Sequence, residues 1–469
     1  MPPPLGIALV SREYPPFFGG GIGTYARHIA PALAAAGCRV HVITQAYDAT
    51  HGRFSRHLAG EKGGSLAVHR IPLIGSAACW TGAMARFAVA AARKVAELAE
   101  DGLIDVAEFA ECEAAGVALT AARAAGLGEG GVGVPVVVHL HTPTELLYAL
   151  RSVAPGPMTG TFAAYLLAER ASMLAADRLC APSAFIADWA VAHYGLSERP
   201  CVIPYAIEGL PPLPPVPTHR RVLYVGRIEP RKGVEPLIRA WPRVVREHPQ
   251  WRLRMVGADT STAPGGVSMR GYLTDLLPPE VRDTVQFVGA LPPQMLASEY
   301  AEAAVCTVPS LWENFPNTCI EAMSHARPVL VSDAGGMAEM IGDTVAGVTF
   351  RSGDVDDLAQ VMTSLLSESE SALRERGRVA RERIAALCDR TSVVSRRLDL
   401  YHETIERGRS RPAAARQREG VLGLWRLFQD VAGGDLSRVG LPRLDPMVEQ
   451  WIADAPERAV AAVAVGGAT

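Results

Sequence analysis

The 469-residue chain lacks most of the features that would assign it at a glance. Its eight cysteines (Cys38, Cys79, Cys112, Cys180, Cys201, Cys306, Cys319, Cys388) are scattered, with no C-x-x-C pair and no metal-like cluster. That excludes a disulfide framework and fits a reducing cytoplasm. No apolar run approaches the roughly 18 residues of a membrane-spanning helix. Neither charge sign prevails: 46 Lys and Arg stand against 49 Asp and Glu, a net −3, so bulk charge gives no general argument for a nucleic-acid partner. The opening MPPPLGIALVSREYPP has no basic stretch and only a short apolar run, and reads as a buried strand rather than a signal peptide. What remains is a cytoplasmic, soluble globular composition, 49% hydrophobic and 20% charged. A chain this long divides naturally into two domains of about 200 residues.

Short apolar runs alternate with helical patterns along most of that length. LGIALVS (5–11), RVHVIT (39–44), PVVVHL (135–140), RLCAPS (178–183) and CVIPY (201–205) read as strands, with Ala-rich helical segments between them. Near-continuous apolar strands separated by helices indicate parallel sheets covered on both faces. EGLPPLPPVPTHR (208–220) then interrupts the pattern with five prolines, a stiff linker. The pattern restarts with RRVLYVGR (220–227), WRLRMVG (251–257), TVQFVG (284–289), AVCTVPS (304–310) and PVLVSD (328–333). The expectation is α/β, with two doubly wound, Rossmann-like domains facing a cleft: 1–207, a linker at 208–219, 220–400, and a helical extension at 401–469. Ligands of such folds bind beyond the carboxyl ends of strands, so the candidate residues are sought there.

GGGIGTYARHIAPALAAAG (19–37) opens with glycines and continues as a helix whose apolar stripe is Ile22, Tyr25, Ile29 and Leu33. Gly21, Gly23 and Ala26 match G-x-G-x-x-A, but SREYPPFF separates them from the strand, which argues against a dinucleotide fingerprint. Close approach of a diphosphate to the helix end and a tight loop that simply needs glycine stand even. Arg227 follows a strand directly and Lys232 opens the next helix; two such cations neutralise a leaving diphosphate without a metal. Solvated loop charges are the bland alternative, which the position after a strand disfavours. In SLWENFPNTCIEAMSHARP (310–328), Asn317 reads as an N-cap and Arg327-Pro328 as the helix end. Glu321 then lies about 6 Å along the axis, where a ribose would sit if a diphosphate occupied the helix N-terminus. Glu313, ahead of the helix, would meet the group on the other side of that diphosphate.

From Val222 to Ile341 the chain resembles the retaining glycosyltransferases of the GT4 type, through G-R-x4-K-G, P-S-x-x-E-x7-E-A-M and D-A-G-G-x-x-E-M-I (333–341). The first half resembles the same family through Gly20-Gly21-x-Gly23 and HLHTP (139–143). The resemblance implies the GT-B fold, with acceptor binding in the first domain and the nucleotide-sugar in the second. It implies that Arg227 and Lys232 bind the diphosphate, Glu321 the ribose and Glu313 a donor-sugar hydroxyl. His141 is placed beside the transferred sugar, and Gly21 near the phosphates or acceptor. The same stretch supplies Asn314, Phe315, Asn317 and Thr318 as donor-binding positions; His141, Arg227, Lys232 and Glu313 form the catalytic set. Many relatives have Glu-Gly-Phe-Gly where this chain reads Glu313-Asn314-Phe315-Pro316, and the proline removes an N–H.

Asp354 and Asp356 match a D-x-D metal motif, but they open a helix whose dipole they favour. His139 and His141 share one side of a strand without a third ligand nearby. Residues 374–418 hold thirteen arginines and six acidic residues; a solvated helical surface is favoured over a grip on anionic lipid, and peripheral contact with the inner face of a membrane is left open. The expected activity is hexosyl transfer from a nucleotide-diphospho-sugar, a UDP-sugar ahead of GDP-mannose, with no metal and no cofactor beyond that co-substrate. The acceptor is a hydroxyl on a saccharide, lipid-linked glycan or small metabolite. A nucleotide-sugar epimerase and a catalytically silent sugar-nucleotide-binding protein are the rivals, which intact Arg227, Lys232, Glu313 and Glu321 disfavour in the silent case.

Overall fold

The computed structural model describes residues 3–16, 20–46, 58–59, 63–72, 80–124, 133–146, 160–214 and 220–410. The described residues form two compact units: those up to 145, with 160–180 and 398–410, in the first, and 146 with those of 181–397 in the second. No described helix is long and apolar enough to cross a membrane.

The first unit carries β1 (Gly6–Val10), β2 (Arg39–Ala46), β3 (Leu58–Ala59), β4 (Ser65–Pro72), β5 (Val106–Ala110), β6 (Val136–His139) and β7 (Arg178–Ala181). Their order across the sheet is β3-β4-β2-β1-β5-β6-β7. All these pairings are parallel except β3 with β4. The helix Gly21–Ala35 buries Tyr25, Ile29 and Leu33 of the expected stripe and leaves Ile22 half-buried.

The second unit holds the two-residue β8 (Cys201–Val202) and a six-stranded parallel sheet. That sheet contains β9 (Arg221–Val225), β10 (Arg252–Val256), β11 (Val285–Gly289), β12 (Val305–Val308), β13 (Val329–Ser332) and β14 (Gly347–Phe350). Its order is β11-β10-β9-β12-β13-β14, so the chain winds outward from β9, returns beside it as β12, and winds out the other way. The helix Val234–Glu247 covers one face, burying Leu237, Ile238, Trp241 and Val244 against Val222, Leu253 and Met255. Burying each large side chain of this kind contributes about 1.5–3 kcal/mol.

The expected boundaries shift in two places. Residues 181–207 group with the second unit. Ser183 Oγ donates to Asn314 Oδ1 at 2.5 Å, Glu339 accepts from the N–H groups of Ala184 (2.7 Å) and Phe185 (2.6 Å), and Tyr205 meets Phe315 edge-on. Residues 401–410 are not an appendage. They complete the helix Arg390–Ser410, and Tyr401 is fully buried with its hydroxyl on Glu108 of the first unit at 2.7 Å. Residues 411–469 of the expected extension, and 215–219 of the expected linker, lie outside the described residues.

Candidate active site

Reversal of winding at β9 and β12 leaves their carboxyl ends adjacent, the place where open parallel sheets bind ligands. Arg227 and Lys232 follow β9; Ser310 and Glu313 follow β12. The loop 309–314 approaches the β9 side so closely that only glycine fits. Gly233 has φ 66°, and a Cβ there would lie 1.7 Å from the Pro309 carbonyl oxygen. On the opposite flank Gly335 has φ 84°, and its Cβ would lie 2.0 Å from the Glu313 carbonyl oxygen. The Leu311 N–H donates to the Arg231 carbonyl and the Gly336 N–H to that of Glu313. The glycines of K-G and D-A-G-G therefore have a steric cause: they let two turns clamp the loop that carries Glu313.

Five charged side chains meet there. Glu313 Oε1 accepts from Lys232 Nζ, from Arg231 Nη1 at 3.2 Å and from Ser310 Oγ at 3.3 Å. Its Oε2 accepts from no described residue. Arg231 also donates through Nη2 to Glu229 Oε1 at 3.3 Å, and Glu229 receives Arg227 Nη2 at 3.2 Å. Burial would raise the Glu313 carboxyl, but the Lys232 ammonium and the Arg231 guanidinium outweigh it and hold the group below its ordinary value. Glu313 side-chain exposure is only 12%, whereas that of Arg227 is 60%. Buried Tyr224 fixes the Arg227 backbone, donating to its carbonyl at 2.7 Å.

Around the helix the placement differs from expectation. It spans Asn317–Ser324, beginning after Pro316 rather than on an Asn317 cap. The Pro316 carbonyl accepts from Cys319 N and Ile320 N, so the proline starts the helix through its C=O, and its missing N–H is no loss there. The end comes before Arg327: Ala326 takes φ 56°, and the buried Arg327 guanidinium donates to the Tyr300 and Ala301 carbonyls. Asn317 and Thr318 are half-buried in the first turn and make no side-chain hydrogen bond to a described residue. Asn314 and Phe315 are buried, the amide on Ser183 and the ring on Tyr205. Glu321 is half-buried one turn in, and Tyr300 donates to its Oε2 at 2.7 Å.

In the first unit Gly21 is the exposed first residue of its helix. His141 and His139 are both buried, with ring centroids 4.3 Å apart, and Tyr25 packs edge-on to each. Glu108 anchors this group: Tyr25 donates to one oxygen at 2.6 Å and Tyr401 to the other. Asp354 caps the helix Val355–Leu366 by accepting from the Asp357 N–H at 2.9 Å, and Asp356 is an exposed partner of Arg243. The arginines of 374–410 include Arg376 on Glu368, Arg378 between Glu375 and Glu382, and Arg383 on the Glu339 carbonyl. Sequence reasoning passed over Glu229, Arg231, Tyr300, Glu108 and Tyr25. A second cation beside Lys232 and an acid between two arginines in R-I-E-P-R-K were the readable signals.

Two parallel-sheet α/β domains of this topology define the GT-B class, and comparison with known proteins agrees. The model described as Glycosyltransferase Family 4 matches residues 19–208, and Glycosyl transferases group 1 matches 219–368. Glycogen synthase of Mycobacterium tuberculosis is 27% identical over 410 residues, covering 84% of this chain and 94% of that one. D-inositol 3-phosphate glycosyltransferase of Nocardiopsis dassonvillei is 30% identical over 299 residues, covering 58% and 67%. Among solved structures, sucrose-phosphate synthase of Thermosynechococcus elongatus superposes with a TM-score of 0.64 at 23% identity, over 85% of this chain and 98% of that one. The chain belongs to the GT4-type glycosyltransferases.

Proposed function

We propose that this glycosyltransferase moves a sugar, with retention of configuration and without a metal, from a nucleotide-diphospho-sugar to a hydroxyl acceptor. The observation that carries the reading is the Glu313 carboxylate at the β9–β12 reversal. Among the described residues, three donors meet one oxygen and none meets the other, which the reading gives to a sugar hydroxyl. Arg227 and Lys232 supply the positive charge that a departing diphosphate needs, the role a metal plays elsewhere. The reading gives Asn317 and Thr318, with the first-turn N–H groups, to the phosphates, Glu321 to the ribose, and to Asn314 and Phe315 only main-chain contacts. Gly21 and His141 keep the roles that the family resemblance gives them. Departure and attack take place on the same sugar face, and the diphosphate takes the acceptor proton. The relatives' names differ in acceptor, so the acceptor class stays at "hydroxyl".

A panel of UDP- and GDP-sugars tests this. At a hundredfold excess over its dissociation constant the correct donor stabilises the fold by about 2.7 kcal/mol, and slow release of nucleoside diphosphate follows. UDP-sugars are tried first and GDP-mannose next. Isomerisation of the donor without release would make the protein an epimerase, and stabilisation without turnover a sensor. Loss of activity in EDTA, restored by manganese, would overturn metal independence.

A further inference from the structure

Glu313 and Lys232 are neutralised by each other, yet the proposed reaction asks both to serve the donor. When Lys232 turns to a diphosphate, a carboxylate that is 12% exposed loses its nearest cation. Desolvation then favours the protonated acid, which would donate to a sugar hydroxyl rather than accept from it. Arg231 stands where this conflict needs a second cation. Its guanidinium divides between Glu313 (3.2 Å) and Glu229 (3.3 Å), and it is itself 14% exposed. Its own carbonyl accepts from the Leu311 N–H, so backbone and side chain both grip the Glu313 loop. The fork is rigid and planar. Arg231 has no described neighbour to move to besides these two carboxylates.

We infer that Arg231 is a positioning residue, which keeps Glu313 ionised and its open oxygen aimed while Lys232 serves the diphosphate. This rests on the donor-site reading above. Among the described residues, the charged and titratable groups facing Glu313 are Lys232 and Arg231, with Glu229, Arg227 and the buried Tyr224 hydroxyl behind them; Ser310 is the neutral donor.

Inorganic pyrophosphate is the probe, because it needs no knowledge of base or sugar. Its binding is followed by calorimetry at about pH 5.5 in buffers of different ionisation enthalpy, which reports protons exchanged. The probe's own protons cancel between wild type and variant. In Arg231→Ala, pyrophosphate should bind about tenfold more weakly and carry uptake of up to about one extra proton. Arg231→Lys should bind with the wild-type proton count. A merely structural role would lower melting temperature in both variants alike and leave that count unchanged. Arg231→Gln, which keeps most of the stem, stands in if the alanine variant does not fold. Equal proton uptake in wild type and in the neutral variant would overturn the inference. If Lys232→Ala also binds pyrophosphate like wild type, the failure lies in the donor-site reading, and the inference falls with it.

Discussion

Strand ends in the two units are built on different electrostatic plans. In the second, beyond β9 and β12, three cations and two carboxylates form a chain of ion pairs; among the described residues it ends at exposed Arg227 and leaves one carboxylate oxygen without a donor. In the first, on β5 and just past it, Glu108 and Glu111 are sealed, while Glu113 pairs with Arg12 at 2.8 Å. Glu108 is 1% exposed between two tyrosine hydroxyls, and Glu111, with no exposure, is held by main-chain N–H groups that include Thr142. An ion pair can exchange one partner for a ligand phosphate, whereas a buried acid bonded to the backbone fixes a loop. On the proposed function, the difference assigns the exchangeable ion pairs of one edge to a charged ligand and the buried acids of the other to fixing the turn after His141.

The largest effect should come from removing the charge on the open carboxylate. Glu313→Gln keeps the shape, yet turnover with the correct donor should fall about a hundredfold, near 3 kcal/mol of transition-state stabilisation. Nucleoside diphosphate affinity should hold or tighten, since Lys232 loses a competitor. Weaker nucleotide binding instead would end the idea that Glu313 meets only the sugar. Next in size are the cations. Lys232→Ala or Arg227→Ala should weaken UDP or GDP and intact donor alike by about 1.5–3 kcal/mol. Titration of both variants with wild-type affinities would return these residues to solvated loop charges and leave the contrast between the two edges without a functional meaning.

Much of this was legible in the sequence because both signals are local. Ten apolar runs marked strands at their observed places, and the motif glycines at 233, 335 and 336 are spaced for a clamp. What escaped is long-range. The strand β5 reads VAEFA, where Glu108 breaks the apolar run; hydroxyls supplied 83 residues upstream and 293 downstream help make that glutamate tolerable inside. The same holds for residues 181–207, whose allegiance is set by Glu339 and Asn314, far along the chain. Arg231 was missed for a different reason: beside a lysine on a turn it looks like solvent-facing charge, and its partner Glu313 lies on a loop 82 residues later.

Sealed acids in the first unit predict a pH dependence. Burial pushes the Glu111 carboxyl up to about 7, against its main-chain N–H donors, which lower it. Its ordinary value is 4.5, so between these limits the folded state binds the proton more tightly than the unfolded chain. Stability from this group is therefore greatest in acid and falls as pH rises through the folded value, by about 2 kcal/mol between roughly pH 5 and 7.5. Glu113 is also pushed up to about 7, by burial against Arg12, so the wild-type slope has more than one source. Urea unfolding of wild type and Glu111→Gln across this range isolates the Glu111 share: the variant should show the shallower fall. Parallel slopes would mean that Glu111 is not sealed, and the contrast would lose its first-unit half.

The smallest effect sharpens the second-unit half, where Glu321 accepts from a tyrosine hydroxyl and stands apart from the ion-pair chain of Glu313 and Glu229. Tyr300 is buried, its ring stacked on His325 with centroids 5.2 Å apart and its hydroxyl 2.7 Å from Glu321 Oε2. Burial, and then the charge of Glu321, push the tyrosine far above its ordinary value, so it stays a donor at any working pH. Tyr300→Phe keeps the ring and removes one charge-assisted hydrogen bond, about 1–2 kcal/mol of orientation. If Glu321 meets ribose, nucleoside diphosphate and donor affinities should both fall about three- to tenfold, as a fainter copy of Glu321→Gln. Turnover at saturating donor should stay near wild type, because nothing at the sugar has changed. The opposite pattern, with affinity kept and turnover lost, would place Glu321 at the sugar and dissolve the distinction between the two carboxylates.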